Sequence, residues 1–250
     1  MRRFDLAALP LATLALAWLL SAVPVRIARA ADAPPPPDHL TADVGYVNTS
    51  GNSRMQTLTA SDKLEHRRAR WLFTQEAAAV WGTTDGVENA GRYGVGLRAD
   101  YELNKRMGLY GLGSWRRNTF AGISRQFDEG AGTVYHALIP NPQQLDLEVG
   151  VGAAQRRAVT GVNDNFGTGR LAALYRCYFQ EKAYAEGRGI YLANFKHSDD
   201  YEYDLNAALV APFSSYLAVK LNYNYHYRNL PPTGFGHWDS TFSAGIQGNW

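Results

Sequence analysis

The chain has 250 residues, of which 46% are hydrophobic, 12% aromatic and 19% charged, with a formal net charge of +2 and a mean hydropathy of −0.32. After residue 30, no apolar run approaches the roughly 20 residues that a membrane-spanning helix needs, which excludes a bundle of transmembrane helices. Plentiful aromatic residues and the lack of long blocks of one charge sign exclude a disordered chain. The single cysteine, Cys177, excludes a framework of intramolecular disulfides.

The N-terminus has the pattern of a secretory signal peptide. Two arginines near the start precede an apolar run over residues 6–20, and Ala28-Arg29-Ala30 supplies the small residues that signal peptidase recognises. We predict a signal peptide over 1–30 that is cleaved after Ala30, followed by a proline-rich periplasmic spacer over 31–39. The alternative, an uncleaved anchor helix, is disfavoured because the apolar run is short and contains a proline.

The charge balance gives no support for nucleic acid as a partner. Loss of residues 1–30 removes four Arg and one Asp, so 25 basic and 23 acidic residues become 21 and 22, with a net charge near −1. A nucleic-acid-binding domain needs a strongly basic face. We therefore expect no nucleic-acid partner.

From Leu40 onward, apolar and polar residues alternate with a period of two, which is typical of β-strands with one apolar and one polar face. The clearest segments are 92–102, 144–156, 217–228 and 238–250. In the first of them, an apolar set alternates with a polar and glycine set: Tyr93, Val95, Leu97, Ala99 and Tyr101 against Arg92, Gly94, Gly96, Arg98, Asp100 and Glu102.

Counting such segments predicts twelve strands. They fall at 40–49, 54–66, 69–81, 90–102, 107–117, 127–139, 144–157, 168–180, 184–197, 200–211, 215–228 and 237–250. The third, fifth, sixth and ninth alternate less cleanly, so for them the pattern predicts a strand but not which side faces in. Short turns alternate with longer polar loops, which are predicted at 82–89, 118–126, 158–167 and 229–236.

An even number of strands of about ten residues, with short turns on one side and longer loops on the other, is typical of outer-membrane barrels. A sheet in lipid must close, because an open edge would leave backbone groups without partners. We predict an all-β fold, a closed antiparallel transmembrane β-barrel of about 12 strands over 40–250 with both termini in the periplasm. Aromatic pairs near strand ends favour this over a secreted soluble all-β domain: Tyr93/Tyr101, Tyr201/Tyr203 and Trp71/Trp81.

Several short motifs resemble a known family. They are Gly45-Tyr46-Val47-Asn48-Thr49-Ser50-Gly51-Asn52-Ser53, Arg92-Tyr93 through Tyr101, Tyr110-Gly111, Asn118-Thr119-Phe120-Ala121-Gly122, Gly130-Ala131-Gly132, Leu230-Pro231-Pro232 and Trp238-Asp239-Ser240. On these motifs the mature chain resembles the salt-induced outer-membrane proteins, a family known as a domain of unknown function. The resemblance implies an outer-membrane barrel and carries over no activity and no catalytic residue. A role linked to salt is suggested only by the family's name.

The last strand has the pattern that the barrel-assembly machinery recognises. Phe242 and Ile246 lie on one face of it and the chain ends on an aromatic residue, Trp250. Phenylalanine is the usual final residue, so Trp250 departs from the pattern. We expect the assembly machinery, outer-membrane lipid and lipopolysaccharide as partners.

The polar faces place charged residues of both signs in the predicted lumen. They are Arg92, Arg98, Asp100, Glu102, Asp146, Glu148, Arg156, Arg170, Arg176, Glu202, Asp204, Lys220, His226, Arg228 and Asp239. Such charges either line a water-filled passage and set its selectivity or pair across the lumen and close it. Twelve strands fall between barrels filled by side chains and barrels with an aqueous channel.

Basic residues also gather toward the loop ends of the strands: Arg92, Arg116, Arg117, Arg125, Arg156, Arg157 and Arg228. Those that face outward are placed to meet lipopolysaccharide phosphates, because guanidinium groups suit phosphate, and those that face inward to ring a pore mouth. The alternative is ordinary surface charge, balanced by Asp128, Asp164, Asp199 and Asp200.

We predict a narrow channel for small polar or ionic solutes, or an envelope protein without transport, and no enzyme. The alternative is an outer-membrane lipid-modifying hydrolase, for which His226 beside Ser243 and Asp239 is the arrangement to consider. A polar lumen residue is the simpler interpretation of His226. His197, Asp199 and Asp200 cluster in one loop, but adjacent acids on a turn are usually solvated, so we predict no metal site and no cofactor.

Overall fold

The computed structural model describes residues 38–49, 55–139, 142–179 and 183–250. The predicted cleavage site at Ala30 and nearly all of the proline-rich spacer lie outside the described residues and stay predictions. In the described part of the chain, no helix is long and apolar enough to cross a membrane.

Twelve strands follow one another along the described chain, each antiparallel to its neighbours, and β1 pairs with β12 to close a barrel. This confirms the predicted all-β closed barrel. The strands are β1 (Asp38–Thr49), β2 (Met55–Arg68), β3 (Trp71–Thr84), β4 (Val87–Glu102), β5 (Met107–Asn118), β6 (Ile123–Leu138), β7 (Gln143–Ala158), β8 (Asn163–Tyr178), β9 (Tyr184–Asn194), β10 (Tyr201–Pro212), β11 (Leu217–Arg228) and β12 (Trp238–Asn249).

Both ends of the barrel chain lie at the same end of the cylinder. Leu40 and Trp250 exchange backbone hydrogen bonds of 2.8 and 2.9 Å, which complete the seam between β1 and β12. We call the end of the barrel that holds both chain ends the terminal end. The opposite end is called the loop end. Which side of a membrane the terminal end faces stays a prediction.

The outer wall is apolar and the interior is polar. The outward residues Val95, Leu97 and Val151 are 46%, 61% and 64% exposed, whereas Glu202 and Gln247 on the inner wall are 2% exposed. A soluble barrel would bury its apolar side chains inside. This reversed pattern is typical of a barrel whose solvent is lipid.

Aromatic side chains cluster near both ends of the outer wall. At the terminal end, the ring of Trp71 lies 4.9 Å from that of Tyr101 and 5.8 Å from that of Phe73. At the loop end, the rings of Tyr191 and Tyr203 lie 5.1 Å apart, in a larger group of tyrosines. Amphipathic rings at these two heights are the arrangement of interfacial girdles.

The predicted long loops are wrong at three places, because the strands continue into them. The connection expected at 82–89 is only Asp85 and Gly86, whose φ angles of 51° and 81° make the tight Asp-Gly hairpin turn that suits two twisted strands. The connections expected at 118–126 and 158–167 shrink to 119–122 and 159–162. In all three segments, most of the polar residues that were expected in loops belong to the strands.

Tyr110 of β5 is 4% exposed and lies against the inner wall, over glycines of the neighbouring strands. A Cβ atom on Gly150 of β7 would lie 2.3 Å from the Tyr110 hydroxyl oxygen and 2.7 Å from the Ala131 carbonyl oxygen. The absence of a side chain at Gly150 therefore makes room for the tyrosine ring.

We expect Gly150→Ala to lower the free energy of unfolding by about 1–3 kcal/mol, since the added methyl group overpacks this wall. The matched control is Gly96→Ala on the inner face of β4, where the new Cβ would meet only Ser114 Cβ at 3.9 Å. Urea unfolding in lipid vesicles, followed by tryptophan fluorescence, measures both. Equal stability of the two variants would show that Tyr110 does not need the glycine.

Candidate functional site: the charged lumen

At the loop end, three arginines and two carboxylates form a group that we call the plug: Arg116, Arg156, Arg228, Asp200 and Glu202. The Glu202 carboxylate accepts hydrogen bonds from Arg116 Nη2 at 2.6 Å and from Arg156 Nη2 at 2.6 Å. Arg116 is on β5 and Glu202 on β10, five strands apart in a barrel of twelve, so this contact crosses the lumen. The plug therefore ties opposite walls together.

Asp200 holds the other side of the plug. Its Oδ2 accepts from Arg156 Nη1 at 2.9 Å and its Oδ1 from Arg228 Nε at 3.0 Å. Burial raises the pKa of Asp200, but the hydrogen bond from Arg228 and the charges of Arg156 and Arg228 outweigh it and leave the pKa below its ordinary value. Asp200 is therefore ionised at neutral pH, and with Glu202 it offsets two of the three arginine charges of the plug.

The chain positions Arg156 from several sides. Its Nε donates to Gln126 Oε1 on the neighbouring strand β6 at 2.8 Å, and its guanidinium lies 4.7 Å from the centre of the Phe166 ring on β8. The Arg156 side chain is 7% exposed. All three nitrogens of the Arg156 guanidinium are therefore hydrogen-bonded, which holds this side chain in place at the centre of the plug.

Further from the loop end, a second group fills the half of the lumen between β4 and β8. Arg98 makes a bidentate contact with Asp100, with Nη2 to Oδ1 at 2.7 Å, and its Nη1 lies 2.9 Å from Glu148 Oε1. Arg170 also donates to Glu148, and the Arg98 guanidinium lies 4.4 Å from the centre of the Tyr110 ring. These contacts occupy the lumen beside β4 to β8 with paired charges.

Beside these groups lies a cavity of about 700 Å³, lined mainly by β1 to β5 and β8 to β12. It reaches Tyr178 and Asn249 at the terminal end and Asn118 and His226 at the loop end. Neutral polar groups make up much of its wall, including the hydrogen-bonded Asn206 and Asn222, 2.7 Å apart. Its other neutral polar side chains include Thr41, Thr59, Ser61, Ser243 and Gln247.

One ion pair spans this cavity. Glu76 on β3 and Arg188 on β9 lie on strands six apart in the ring of twelve, which places them on opposite walls. Their Oε2 and Nη1 atoms approach to 3.5 Å, and both side chains are partly exposed, at 45% and 35%. Two long side chains that meet across the cavity narrow it, and we call this pair the constriction.

The fifteen charged residues predicted to point into the lumen all occupy inward register positions. Arg98, Asp100 and Glu148 lie in the filled half, and Arg156 and Arg228 in the plug. Lys220 Nζ lies 2.7 Å from Asp43 Oδ2 in the cavity wall. Arg92 lies at the loop end within electrostatic range of Asp204 and Asp239, and His226 faces Asp239 across β11 and β12.

The arrangement considered for a hydrolase does not form. His226 Nδ1 pairs with Asp204 Oδ1 at 2.8 Å, and Ser243 lies opposite Asn222, four residues before His226 on β11. A nucleophilic serine must be within hydrogen-bond reach of its histidine. His226 is a buried polar residue of the lumen wall.

In the loop considered for a metal site, the Asp200 carboxylate bonds neighbouring side chains. Asp200 is bonded to Arg156, Arg228 and Asn194, so its carboxylate is already engaged. Within the ranges that the structure describes, no three His, Cys, Asp or Glu side chains gather where they could hold a metal ion.

Sequence reasoning missed the constriction and several partners in the lumen: Asp43, Glu76, Glu186 and Arg188. Glu76 and Arg188 lie on β3 and β9, two of the strands whose alternation did not predict a facing direction. The available signal was the position of each charge within its strand, which becomes useful only when the pairing register is known.

A closed barrel with an apolar outer band, aromatic clusters near both ends and a charged interior has the architecture of outer-membrane β-barrel proteins. The chain belongs to the DUF481 family of proteins of unknown function, whose family model matches residues 42–250. This confirms the expected family of unknown function. The link to salt stays a prediction.

Solved structures with a similar fold include two porins and a translocator domain. The NanC porin is 9% identical, with a TM-score of 0.49, covering 84% of this chain and 97% of that one. The translocator domain of the autotransporter NalP from Neisseria meningitidis is 13% identical, with a TM-score of 0.47 and coverage of 85% and 86%. The KdgM porin is 11% identical, with a TM-score of 0.46 and coverage of 84% and 98%. No curated protein matches the sequence.

Proposed function

We propose that the protein is a narrow channel of the bacterial outer membrane that passes small polar or ionic solutes. The observation that carries this proposal is the polar cavity of about 700 Å³, whose lining residues extend from the terminal end to the loop end. An apolar outer band supports placement in lipid. No catalytic step is part of the proposal.

The constriction limits what can pass. Glu76 and Arg188 narrow the cavity from opposite walls and present one charge of each sign to a passing solute. The plug and the Arg98 group leave only one side of the lumen for the passage. We therefore expect small solutes to pass and bulky neutral ones to be excluded.

Swelling of proteoliposomes in solutions of uncharged polar solutes of increasing size tests this proposal. We expect rapid swelling with glycerol and slow or no swelling with trisaccharides, because the constriction sets an upper size. Liposomes without protein provide the background rate. Swelling that does not depend on solute size would contradict a narrow channel.

A second candidate is an envelope protein that does not transport. It is favoured by the contact between the loops at 119–122 and 229–237, which lies over the loop end. A Cβ on Gly122 would lie 2.6 Å from Pro232 Cγ and 3.1 Å from Phe235, so the second loop packs directly on the first. For this candidate, a folded protein would give the background swelling rate with every solute.

Assembly and surface contacts belong to the same proposal. Phe242 and Ile246 lie on the outer face of β12 and Trp250 directly follows the strand, and the three side chains are 56%, 46% and 60% exposed. Side chains at these positions are accessible to the barrel-assembly machinery, which we propose as a partner. Outer-membrane lipid is the expected solvent of the band around them.

A further inference from the structure

Three arginines face outward side by side at the loop end of the barrel: Arg117, Arg125 and Arg157. Each lies at the loop end of its strand, on β5, β6 and β7 respectively. All three are exposed. In the Arg116-Arg117 and Arg156-Arg157 pairs, one guanidinium joins the plug and the other points away from the lumen. We call the outward three the arginine row.

The register brings these like charges together. Arg125 lies directly opposite Arg157 on the adjacent antiparallel strand, and Arg117 lies beside Arg125 at the irregularity between β5 and β6. Directly opposite residues have Cβ atoms about 4.5–5.5 Å apart, and like charges in such pairs destabilise a sheet. A row of this kind calls for an anion to compensate it.

The described part of the protein does not supply that anion. Asp128 lies 3.7 Å from the inward Arg116, Asp164 bonds Lys196 at 2.5 Å, and Asp200 belongs to the plug. Among the described residues, no carboxylate bonds any member of the arginine row. Ordinary surface charge, balanced by nearby acids, therefore does not describe these three residues.

The row lies at the edge of the apolar band. One step toward the membrane on the same outer face, Trp115 lies opposite Phe127, which is 48% exposed. Cations directly above aromatic side chains match a lipid whose acyl chains contact the band and whose head group carries negative charge. A guanidinium binds phosphate through two parallel hydrogen bonds, which an ammonium cannot match.

We propose that the arginine row binds the head-group phosphates of a phosphorylated glycolipid of the outer leaflet, of the lipopolysaccharide type. The inference shares with the proposed function the placement in the outer membrane and rests on the predicted orientation with the loop end outward, but it does not depend on conduction. A protein that binds the lipid and carries no current would overturn only the channel.

Binding to the full mature chain in detergent, measured by native mass spectrometry with diphosphorylated lipid A, tests the site. The variant R117Q/R125Q/R157Q removes the row, and R68Q/R70Q/R106Q removes three exposed charges at the terminal end as the matched control. We expect the first variant to lose about tenfold or more in affinity and the control to bind like the unmodified protein. Replacement of the three arginines by lysine retains the charge but should still weaken binding.

Three outcomes would overturn the proposal. They are an equal loss in both glutamine variants, equally tight binding of dephosphorylated lipid A, and binding of inorganic phosphate as tight as that of the lipid, which would indicate a soluble anion. Heat-dependent migration in gel electrophoresis shows whether each variant is folded. If the triple variant does not fold, R125Q alone replaces it, with R70Q as its control, and the same expectation applies to this pair.

Discussion

Arg188→Ala is expected to raise the single-channel conductance about twofold, because it removes one of the two side chains that form the constriction. Arg188 reaches Glu76 from the opposite wall, and their charged groups are 3.5 Å apart. Arg188→Glu should change selectivity as well, since it would place two carboxylates at the constriction and favour cations. Conductance and reversal potential in a salt gradient across a planar bilayer measure both effects.

The matched control for these variants is Arg68→Ala and Arg68→Glu, which change an exposed residue at the terminal end of β2. These changes should leave both conductance and reversal potential close to those of the unmodified protein. Unchanged currents in the Arg188 variants would show that the narrowest point of the passage lies elsewhere.

Glu202→Gln is expected to destabilise the barrel by about 3–5 kcal/mol, since it leaves buried arginines without a compensating charge. Glu202 is 2% exposed and is bonded by Arg116 and Arg156, so the loss affects the contact that joins opposite walls. Urea unfolding of the protein in lipid vesicles measures the difference. The variant should lower the urea concentration at the midpoint of unfolding. The slope of the free energy with urea should stay the same, because the surface exposed on unfolding changes little.

Glu102→Gln is the matched control for this variant. Glu102 also pairs with an arginine, Arg67, at 2.8 Å, but the two side chains are 50% and 39% exposed. An exposed ion pair contributes about 0–1 kcal/mol. A Glu202 variant that is no less stable than the Glu102 variant would mean that water enters the plug and screens its charges.

The fold could be predicted from the sequence where alternation was clean. In β4, β7, β11 and β12, polar and apolar residues occupy opposite faces, and the structure has the closed barrel that this pattern predicts. A membrane barrel makes such a pattern strong, because a shift of one residue would move every charge into lipid.

The facing of β3, β5, β6 and β9 could not be predicted, because both of their faces carry mixed residues. On β6, Glu129 lies outward while Val134 is buried inward. On β9, the outward positions include Gly187 and Gly189, and Ile190 lines the cavity. Small outward residues and apolar inward ones remove the contrast on which a period of two depends.

Contacts between side chains on opposite walls of the lumen could not be predicted from the residue patterns of single strands. The plug joins β5, β7, β10 and β11, and the constriction joins β3 and β9, so each depends on register, shear and side-chain length together. Charge patterning could place Arg156 and Arg228 inside the barrel. It could not show that Asp200, which was considered as a solvated loop residue, is their common partner.

Single-channel recording of the unmodified mature protein in a planar bilayer, at several salt concentrations, tests the central claim most directly. The proposed channel predicts small discrete current steps whose size rises with salt and whose ion preference changes in Arg188→Glu. A barrel that is shown to be folded and inserted but gives no steps at any salt concentration would contradict the channel.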